Sequence, residues 1–222
     1  MSSPMSAITS HPNEALVLAY AAGALEPRLA LVVSAHLVLC SHCRALCHEA
    51  EETGGILIDA MVPVAMSDDA LMQVMARIEG KPAATAIPAE FDQLPPMVRD
   101  AIAASGKKMR ARKRGVAALD LNGIDAKGEG RLTLYRIMPG AAVPHHGHKG
   151  SEITLVLTGA FADETGIYRA GDVAVGAPSI HHRPRAEPGE VCFALAYTDA
   201  PLAFSGLLGA VQRVLRPFGI GG

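Results

Sequence analysis

The sequence predicts an α+β protein of two domains, a small helical bundle followed by a domain of short β-strands that forms a barrel or a sandwich. One observation is a change of composition along the chain: residues 11–80 are rich in Ala, Leu and Met, whereas residues 115–200 are rich in Gly, Val and Thr. Another is that each part carries its own cluster of metal-ligating residue types. A chain of 222 residues is long enough for two domains of ordinary size.

The composition argues against a nucleic-acid binder. The net charge is −2, so the surface as a whole is not suited to a polyanion. Trp is absent and only nine residues are Phe or Tyr, which leaves little material for stacking bases. Apolar residues make up 50% of the chain, which is ample for a buried core.

The cysteines indicate metal ligation in a reducing compartment. Three of the four lie close together and one lies far away: Cys40, Cys43, Cys47 and Cys192. A disulfide framework would instead spread an even number along the chain.

No basic segment precedes an apolar stretch at the N-terminus, and the charge-free run between Arg28 and Arg44 is shorter than the roughly 20 residues that span a bilayer. We therefore expect a cytoplasmic protein with no membrane association.

Three helices are predicted in the first part. The first covers residues 13–22, with Asn13 as N-cap and Gly23 as a stop. The second runs from Pro27 to about residue 52, before Gly54 and Gly55. The third follows Ser67 and ends near Gly80.

The third helix carries an apolar stripe. Its members recur at helical spacing: Leu71, Val74, Met75 and Ile78. Such a stripe is most often part of the protein's own core, and the alternative is a face that binds a partner.

A linker and a basic run separate the two parts. Residues 81–94 are rich in Pro and Ala, and residues 95–104 form a short predicted helix. Six of the next residues are basic: Lys107, Lys108, Arg110, Arg112, Lys113 and Arg114. They could form an electrostatic patch, but a solvated hinge is favoured because no aromatic residues are interleaved with the charges.

The second part is predicted as strands with a final helix. Turn residues at Asn122-Gly123, Pro139-Gly140 and Gly171-Asp172 separate the apolar runs. The strands are predicted at residues 116–121, 131–138, 152–158, 172–175 and 191–198, and the helix at residues 205–215.

The first metal-ligand cluster lies in the second predicted helix. His36, Cys40 and Cys43 are four and three residues apart, so their side chains share one helix face. An imidazole and two thiolates suit tetrahedral zinc. His11 is the natural fourth ligand if the first helix folds back on the second, and Cys47 is its main rival, with His42 and His48 also in reach. An isolated buried Cys is usually only a small apolar side chain, but three ligands at this spacing favour zinc.

This H-x3-C-x2-C pattern with an upstream His resembles the zinc-binding anti-sigma domain over about residues 8–80. The resemblance implies that His11, His36, Cys40 and Cys43 bind zinc. It also implies a partner: an extracytoplasmic-function-type sigma factor, which such domains keep from RNA polymerase.

The second cluster lies among the predicted strands. His146 and His148 point to the same face of an extended segment, and Glu152 follows a turn. A further His comes from His181 or His182. Three imidazoles and a carboxylate suit zinc, iron, manganese or nickel.

The stretch from Gly140 to Gly159 resembles the first cupin motif at every fixed position, which implies a jelly-roll β-barrel. The second cupin motif, counted from Gly171, fits less well and departs at three positions: Ala177, Ser179 and Ala186. Its His position is His182, so the resemblance favours His182 over His181 as the ligand. Cys192 precedes Phe193 in a predicted strand and is expected to be buried, with a redox role as the lesser interpretation.

Together the two halves resemble the ChrR-type anti-sigma factors. That resemblance implies a helical zinc domain at residues 8–80, a linker at 81–114 and a cupin domain at 115–222. It implies a regulator rather than an enzyme, which holds one sigma factor and releases it on oxidative stress, by singlet oxygen or organic peroxide, sensed through the cupin domain.

Two other functions compete. A cupin site with open metal positions could run dioxygenase-like chemistry, with the helical zinc module as an appendage. A sensor that binds DNA through residues 107–114 ranks last, because no helix-turn-helix is evident.

Overall fold

The structure is a computed structural model that describes residues 7–79, 86–124, 130–148, 150–176, 181–199 and 202–204, with the backbone alone for Glu79, Ile124, His148 and residues 202–204. The helix predicted at residues 205–215 lies outside the described residues. The α-helices of the described part are α1 (Glu14–Ala21), α2 (Pro27–Leu39), α3 (Ser41–Asp59), α4 (Ala70–Glu79) and α5 (Pro96–Ser105).

The helix starts follow local rules. The side chain of Asn13 accepts a hydrogen bond from the Leu16 N–H at 2.9 Å and caps α1 as predicted. Pro27 occupies the first turn of α2, where its missing N–H has no cost.

The prediction of one continuous helix over residues 27–52 is wrong. Cys40 adopts an extended conformation (φ −111°, ψ 109°) and its Sγ accepts from the Cys43 N–H as the N-cap of α3. The chain therefore bends by 117° between α2 and α3. Helix α3 then continues through Gly54 and Gly55 to Asp59, so these glycines do not stop it.

No single helix of the described part is long and apolar enough to cross a membrane, whereas α2 and α3, taken together as a bent pair, reach the required length and composition.

The strands form three antiparallel sheets within the described residues. The six-stranded sheet has the order β1-β2-β3-β11-β5-β8, and two three-stranded sheets have the orders β10-β6-β7 and β12-β4-β9. The strand bounds are β1 (Arg110–Lys113), β2 (Val116–Asp120), β3 (Arg131–Ile137), β4 (His146–His148), β5 (Glu152–Thr158), β6 (Ala160–Asp163), β7 (Gly166–Arg169), β8 (Val173–Gly176), β9 (His181–His182), β10 (Arg185–Ala186), β11 (Cys192–Thr198) and β12 (Leu202–Phe204).

The central strands of the six-stranded sheet are buried on both faces. On β11, Phe193 and Leu195 point into a core shared with α2 and α5, whereas Cys192 and Ala194 point into a second core beneath β6 and β10. This explains why all seven residues of β11 are buried and why its sequence is apolar without alternation.

The helical module and the barrel share one continuous core. Val32 and Ala35 of α2 pack in the same cluster as Leu119, Leu134 and Leu155 of the large sheet. Buried Arg28, near the start of α2, donates from Nη2 to the Asn122 carbonyl at 2.8 Å and from Nη1 to the Gly130 carbonyl. The α2 helix is therefore anchored on the outer face of the large sheet.

The longer predicted strands are confirmed to within about a residue at each end. The prediction that the basic run at residues 107–114 is a solvated hinge is wrong. Residues Arg110–Lys113 form edge strand β1, which pairs with β2, and their side chains remain exposed. The short predicted helix is α5, whose Val98 and Ile102 pack into the shared core. The domain boundaries at residues 80 and 115 stay predictions.

Two candidate metal centres

The first centre forms where α2 and α3 bend. His11 lies just before α1, His36 on α2, Cys40 at the bend and Cys43 in the first turn of α3. Each offers one ligand atom, and these atoms lie within 4.8 Å of one another. His11 Nδ1 is 3.4 Å from the Sγ atoms of both Cys40 and Cys43. The residues selected from the sequence are thus brought together, with His11 in the fourth position.

The rivals for the fourth position have other environments. Cys47 is buried, but its Sγ donates to Glu51 at 3.5 Å and it is not part of the cluster. His42 packs its ring edge-on against His11, and exposed His48 lies 3.4 Å from Glu52.

The protonation of His36 suits a metal ligand. Its Nδ1 lies 2.9 Å from the Gly171 carbonyl, so the ring is the tautomer that donates from Nδ1. Burial lowers the pKa of His36 to about 4, which keeps the ring neutral. Its Nε2 is buried without a hydrogen-bond partner among the described residues. A buried lone pair beside two thiols is the environment that a zinc ion would satisfy.

The Cys43 thiol needs a nearby cation in order to ionise at neutral pH. Burial, and next the charge and hydrogen bond of neighbouring Cys40, raise the pKa of Cys43 to about 12. A bound zinc ion would reverse this, because it favours the thiolate form. The mixed N/S donor set therefore fits zinc.

The second centre lies inside the barrel. His146 of β4 and His182 of β9 are paired residues on adjacent strands, and Glu152 begins β5. Their ligand atoms lie within 4.8 Å of one another and all three residues are buried. The side chain of His148 lies outside the described residues. His181 is exposed and stacks on His145 at 5.7 Å, so the cluster contains His182 rather than His181.

Hydrogen bonds orient both imidazoles of this cluster. His146 Nδ1 lies 2.7 Å from the Pro144 carbonyl and His182 Nδ1 lies 2.8 Å from Asp163 Oδ2. The two Nε2 atoms consequently face each other at 3.2 Å. If both rings were neutral, their Nε2 lone pairs would point at each other and repel. A cation bound between the two nitrogens would remove this repulsion. The three described donors therefore fit a divalent metal.

Asp163 is a partner of the His182 ring that sequence reasoning missed. Burial raises the pKa of Asp163, but hydrogen bonds from His182 and Thr165 outweigh it and hold the pKa at about 2. Burial lowers the pKa of His182, yet the bond to Asp163 and the charge of Glu152 raise it overall. No motif surrounds Asp163, so the sequence carries no signal for this role.

Cys192 is fully buried in the inner core, as expected. Burial raises the pKa of its thiol to about 12, so it behaves as a small apolar side chain.

An exposed apolar segment extends from the last turn of α3 through α4. Leu71, Val74, Met75 and Ile78, which could have been core, are 74%, 49%, 47% and 62% exposed. The core interpretation of this stripe is therefore wrong for the isolated chain. We call the following side chains the α3–α4 apolar face: Ile56, Leu57, Ile58, Met61, Val62, Val64, Met66, Leu71, Met72, Val74, Met75 and Ile78.

Comparison with known proteins identifies relatives of both halves. Residues 103–200 match the family model described as the ChrR cupin-like domain. The chain is 38% identical over 216 residues to the anti-sigma-E factor ChrR of Cereibacter sphaeroides, covering 95% of this chain and 98% of the relative. It is also similar to the crystal structure of Rhodobacter sphaeroides SigE in complex with the anti-sigma ChrR, with a TM-score of 0.65, 39% identity, and coverage of 87% of this chain and 100% of that one. A cupin protein of Ralstonia eutropha matches at a TM-score of 0.40 and 17% identity, covering 51% of this chain and 84% of that one.

Proposed function

The chain belongs to the ChrR family of anti-sigma factors, and we propose that it binds one extracytoplasmic-function-type sigma factor and keeps it from RNA polymerase. The observation that carries this proposal is the α3–α4 apolar face. Soluble chains seldom leave so many large apolar side chains exposed along one segment, and such patches mark protein interfaces. The sigma factor is the partner that the relative's complex names. Because sigma factors act in the cytoplasm, the proposed location is cytoplasmic.

The helical centre would hold zinc through His11, His36, Cys40 and Cys43. Four protein ligands form a closed, structural site that leaves no open position for chemistry. Such an ion would tie the chain before α1 to α2 and to the start of α3. It would thereby fix the angle at which α3 and α4 present the apolar face to the sigma factor.

The barrel centre would hold zinc or another divalent metal through His146, Glu152 and His182, with His148 as the remaining ligand. We propose that this centre senses oxidative stress, by singlet oxygen or organic peroxide, and favours a sigma-releasing state. Its support is chemical: buried imidazole and carboxylate ligands are carried on a barrel whose core is continuous with α2.

The test is co-expression of the chain with the sigma factor encoded beside its gene, followed by sizing, metal analysis and a transcription assay with RNA polymerase. We expect a one-to-one complex containing zinc that inhibits transcription, and loss of inhibition in His36→Ala and Cys43→Ser. His48→Ala is the matched control, because this exposed imidazole lies outside the cluster.

Failure to bind any such sigma factor would refute the proposal. If, in addition, catalytic turnover were found that disappears in His146→Ala and Glu152→Gln, the chain would instead be a cupin enzyme with a helical appendage.

A further inference from the structure

The turn between β7 and β8 projects from the barrel onto the helical metal centre. The turn comprises residues 169–172, and it contacts the chain segment before His11 and the ring of His36. The barrel therefore bonds directly to one of the four clustered side chains, His36, and to the backbone that precedes a second, His11.

Asp172 holds the segment that precedes His11. Its Oδ1 accepts from the Thr9 N–H at 2.8 Å and from the Ser10 N–H at 3.0 Å. Its Oδ2 accepts from the Arg169 N–H at 2.8 Å, which closes the turn. The Asp172 residue is only 2% exposed, so these charge-assisted bonds are shielded from water.

A backbone bond adds to this attachment. The Val173 N–H donates to the Ser10 carbonyl at 2.9 Å, so the chain before His11 is bonded to the barrel at three backbone positions. This fixes where the His11 ring can lie.

Gly171 holds His36. Its carbonyl accepts the Nδ1–H of His36 at 2.9 Å, which aims Nε2 at the cysteines. The residue has φ +95° and a Cβ there would lie 2.4 Å from Ile8 Cδ1. The positive φ therefore requires glycine, whereas the contact is with the end of the Ile8 side chain, which can rotate away.

We propose that Asp172 and the Gly171 carbonyl are positioning groups for the helical zinc site, so that retention of zinc by the helices depends on their contact with the barrel. This rests on the proposed zinc site. Outer-shell partners of a ligating imidazole fix its tautomer and orientation, and their loss commonly weakens metal binding by about 10–100-fold.

The same turn lies close to the barrel centre. Strand β8 begins directly after Asp172, and its Gly176 is the pairing partner of Glu152. Four residues of strand, about 13 Å, separate the two ends. A displacement of β8 at the barrel centre would therefore also move the groups that position His11 and His36.

The experiment uses the full-length chain loaded with Co²⁺, whose thiolate charge-transfer band reports only the cysteine-containing site. Displacement of Co²⁺ by Zn²⁺ from a chelator buffer gives the zinc affinity of that site. We expect Asp172→Asn to lower this affinity about 10–100-fold and to alter the Co²⁺ d–d bands as His11 shifts. The matched control is Asp199→Asn, because Asp199 accepts from the Ser151 N–H at 2.7 Å within the barrel.

A second variant tests the same attachment by a substitution on the helical side. Thr9→Pro removes both donors that Thr9 offers to Asp172 Oδ1, the N–H at 2.8 Å and the hydroxyl at 3.4 Å, and changes no barrel residue. It therefore tests the inference even if Asp172→Asn does not fold. We expect a loss of zinc affinity in the same direction.

Wild-type affinity in a folded Asp172→Asn or Thr9→Pro protein would overturn the inference while leaving the zinc site intact. An equal loss of zinc affinity in Asp199→Asn would also overturn it, since general destabilisation of the barrel would then explain both losses. Absence of the thiolate band in the wild-type protein would refute the zinc site itself and the inference with it.

Discussion

Replacement of Leu71 by Ala should weaken sigma binding without destabilising the free protein. Leu71 lies on α4 and is 74% exposed, so truncation removes little from the protein's own packing. We therefore expect the free energy of unfolding of the isolated chain to change by no more than about 0.5 kcal/mol.

The magnitude of the binding loss follows from that exposure. Complete burial of a Leu side chain stabilises by up to about 3 kcal/mol, and about three-quarters of this one remains available for burial. Loss of this contribution in the complex is worth about 2 kcal/mol, which corresponds to a roughly 30-fold increase in Kd.

The assay is calorimetric titration of the sigma factor with each variant, together with denaturant unfolding of the isolated chain. Ile167→Ala is the matched control, because Ile167 is an apolar side chain of β7, 48% exposed and outside the α3–α4 apolar face. Binding of Leu71→Ala within about twofold of wild type would refute the proposed interface. A loss of about 2 kcal/mol in the stability of the free chain would place Leu71 in the protein's own core instead.

Three further outcomes are expected. Metal analysis of Cys43→Ser should show one zinc fewer per chain, whereas Cys47→Ser, outside the cluster, should keep it. In metal-free protein, the raised pKa of His182 means that its bond to Asp163 stabilises the fold below about pH 6.5 and that this contribution is lost as the pH rises through the raised value. Thermal unfolding should therefore show a larger cost of Asp163→Asn at pH 6 than at pH 9, and an equal cost would contradict the pairing. Denaturant unfolding should show Cys192→Ala to be less destabilising, at about 1 kcal/mol, than Cys192→Ser, because the serine hydroxyl would be buried in an apolar core.

The ligand clusters could be selected from the sequence because short-range spacing determines much of their geometry. His36, Cys40 and Cys43 were expected to converge on one face of a continuous helix, and they do converge, but around a bend at Cys40. No residue near this bend has a helix propensity low enough to predict a break there. The Cys40 thiol caps α3 there, and only the tertiary arrangement reveals this.

The groups that orient the ligands could not be predicted. Asp172 and Thr9 are 163 residues apart in the chain, and Asp163 and His182 are 19 residues apart and belong to different sheets. No local pattern encodes such pairs, because each aspartate occupies an ordinary turn position. The strands β9 and β10 were missed for a related reason: segments of two residues are too short to show a period of two.

The shared core limits how the barrel could release a sigma factor. Separation of α2 from the large sheet would expose Val32, at a cost of about 1.5–3 kcal/mol for that side chain alone, and would remove the Asn122 and Gly130 carbonyls from Arg28. Movement of α4 has no such cost in the free chain, because its apolar side chains are already exposed, whereas α3 is held by Cys43 and Cys47 in a core with Val17 and Val33. The residues that set this bend connect the barrel to α3, because the turn at residues 169–172 bonds to His36 and to the segment before His11. The zinc ligands and the turn that positions them lie there, so zinc affinity and sigma affinity should change together when Asp172 is replaced.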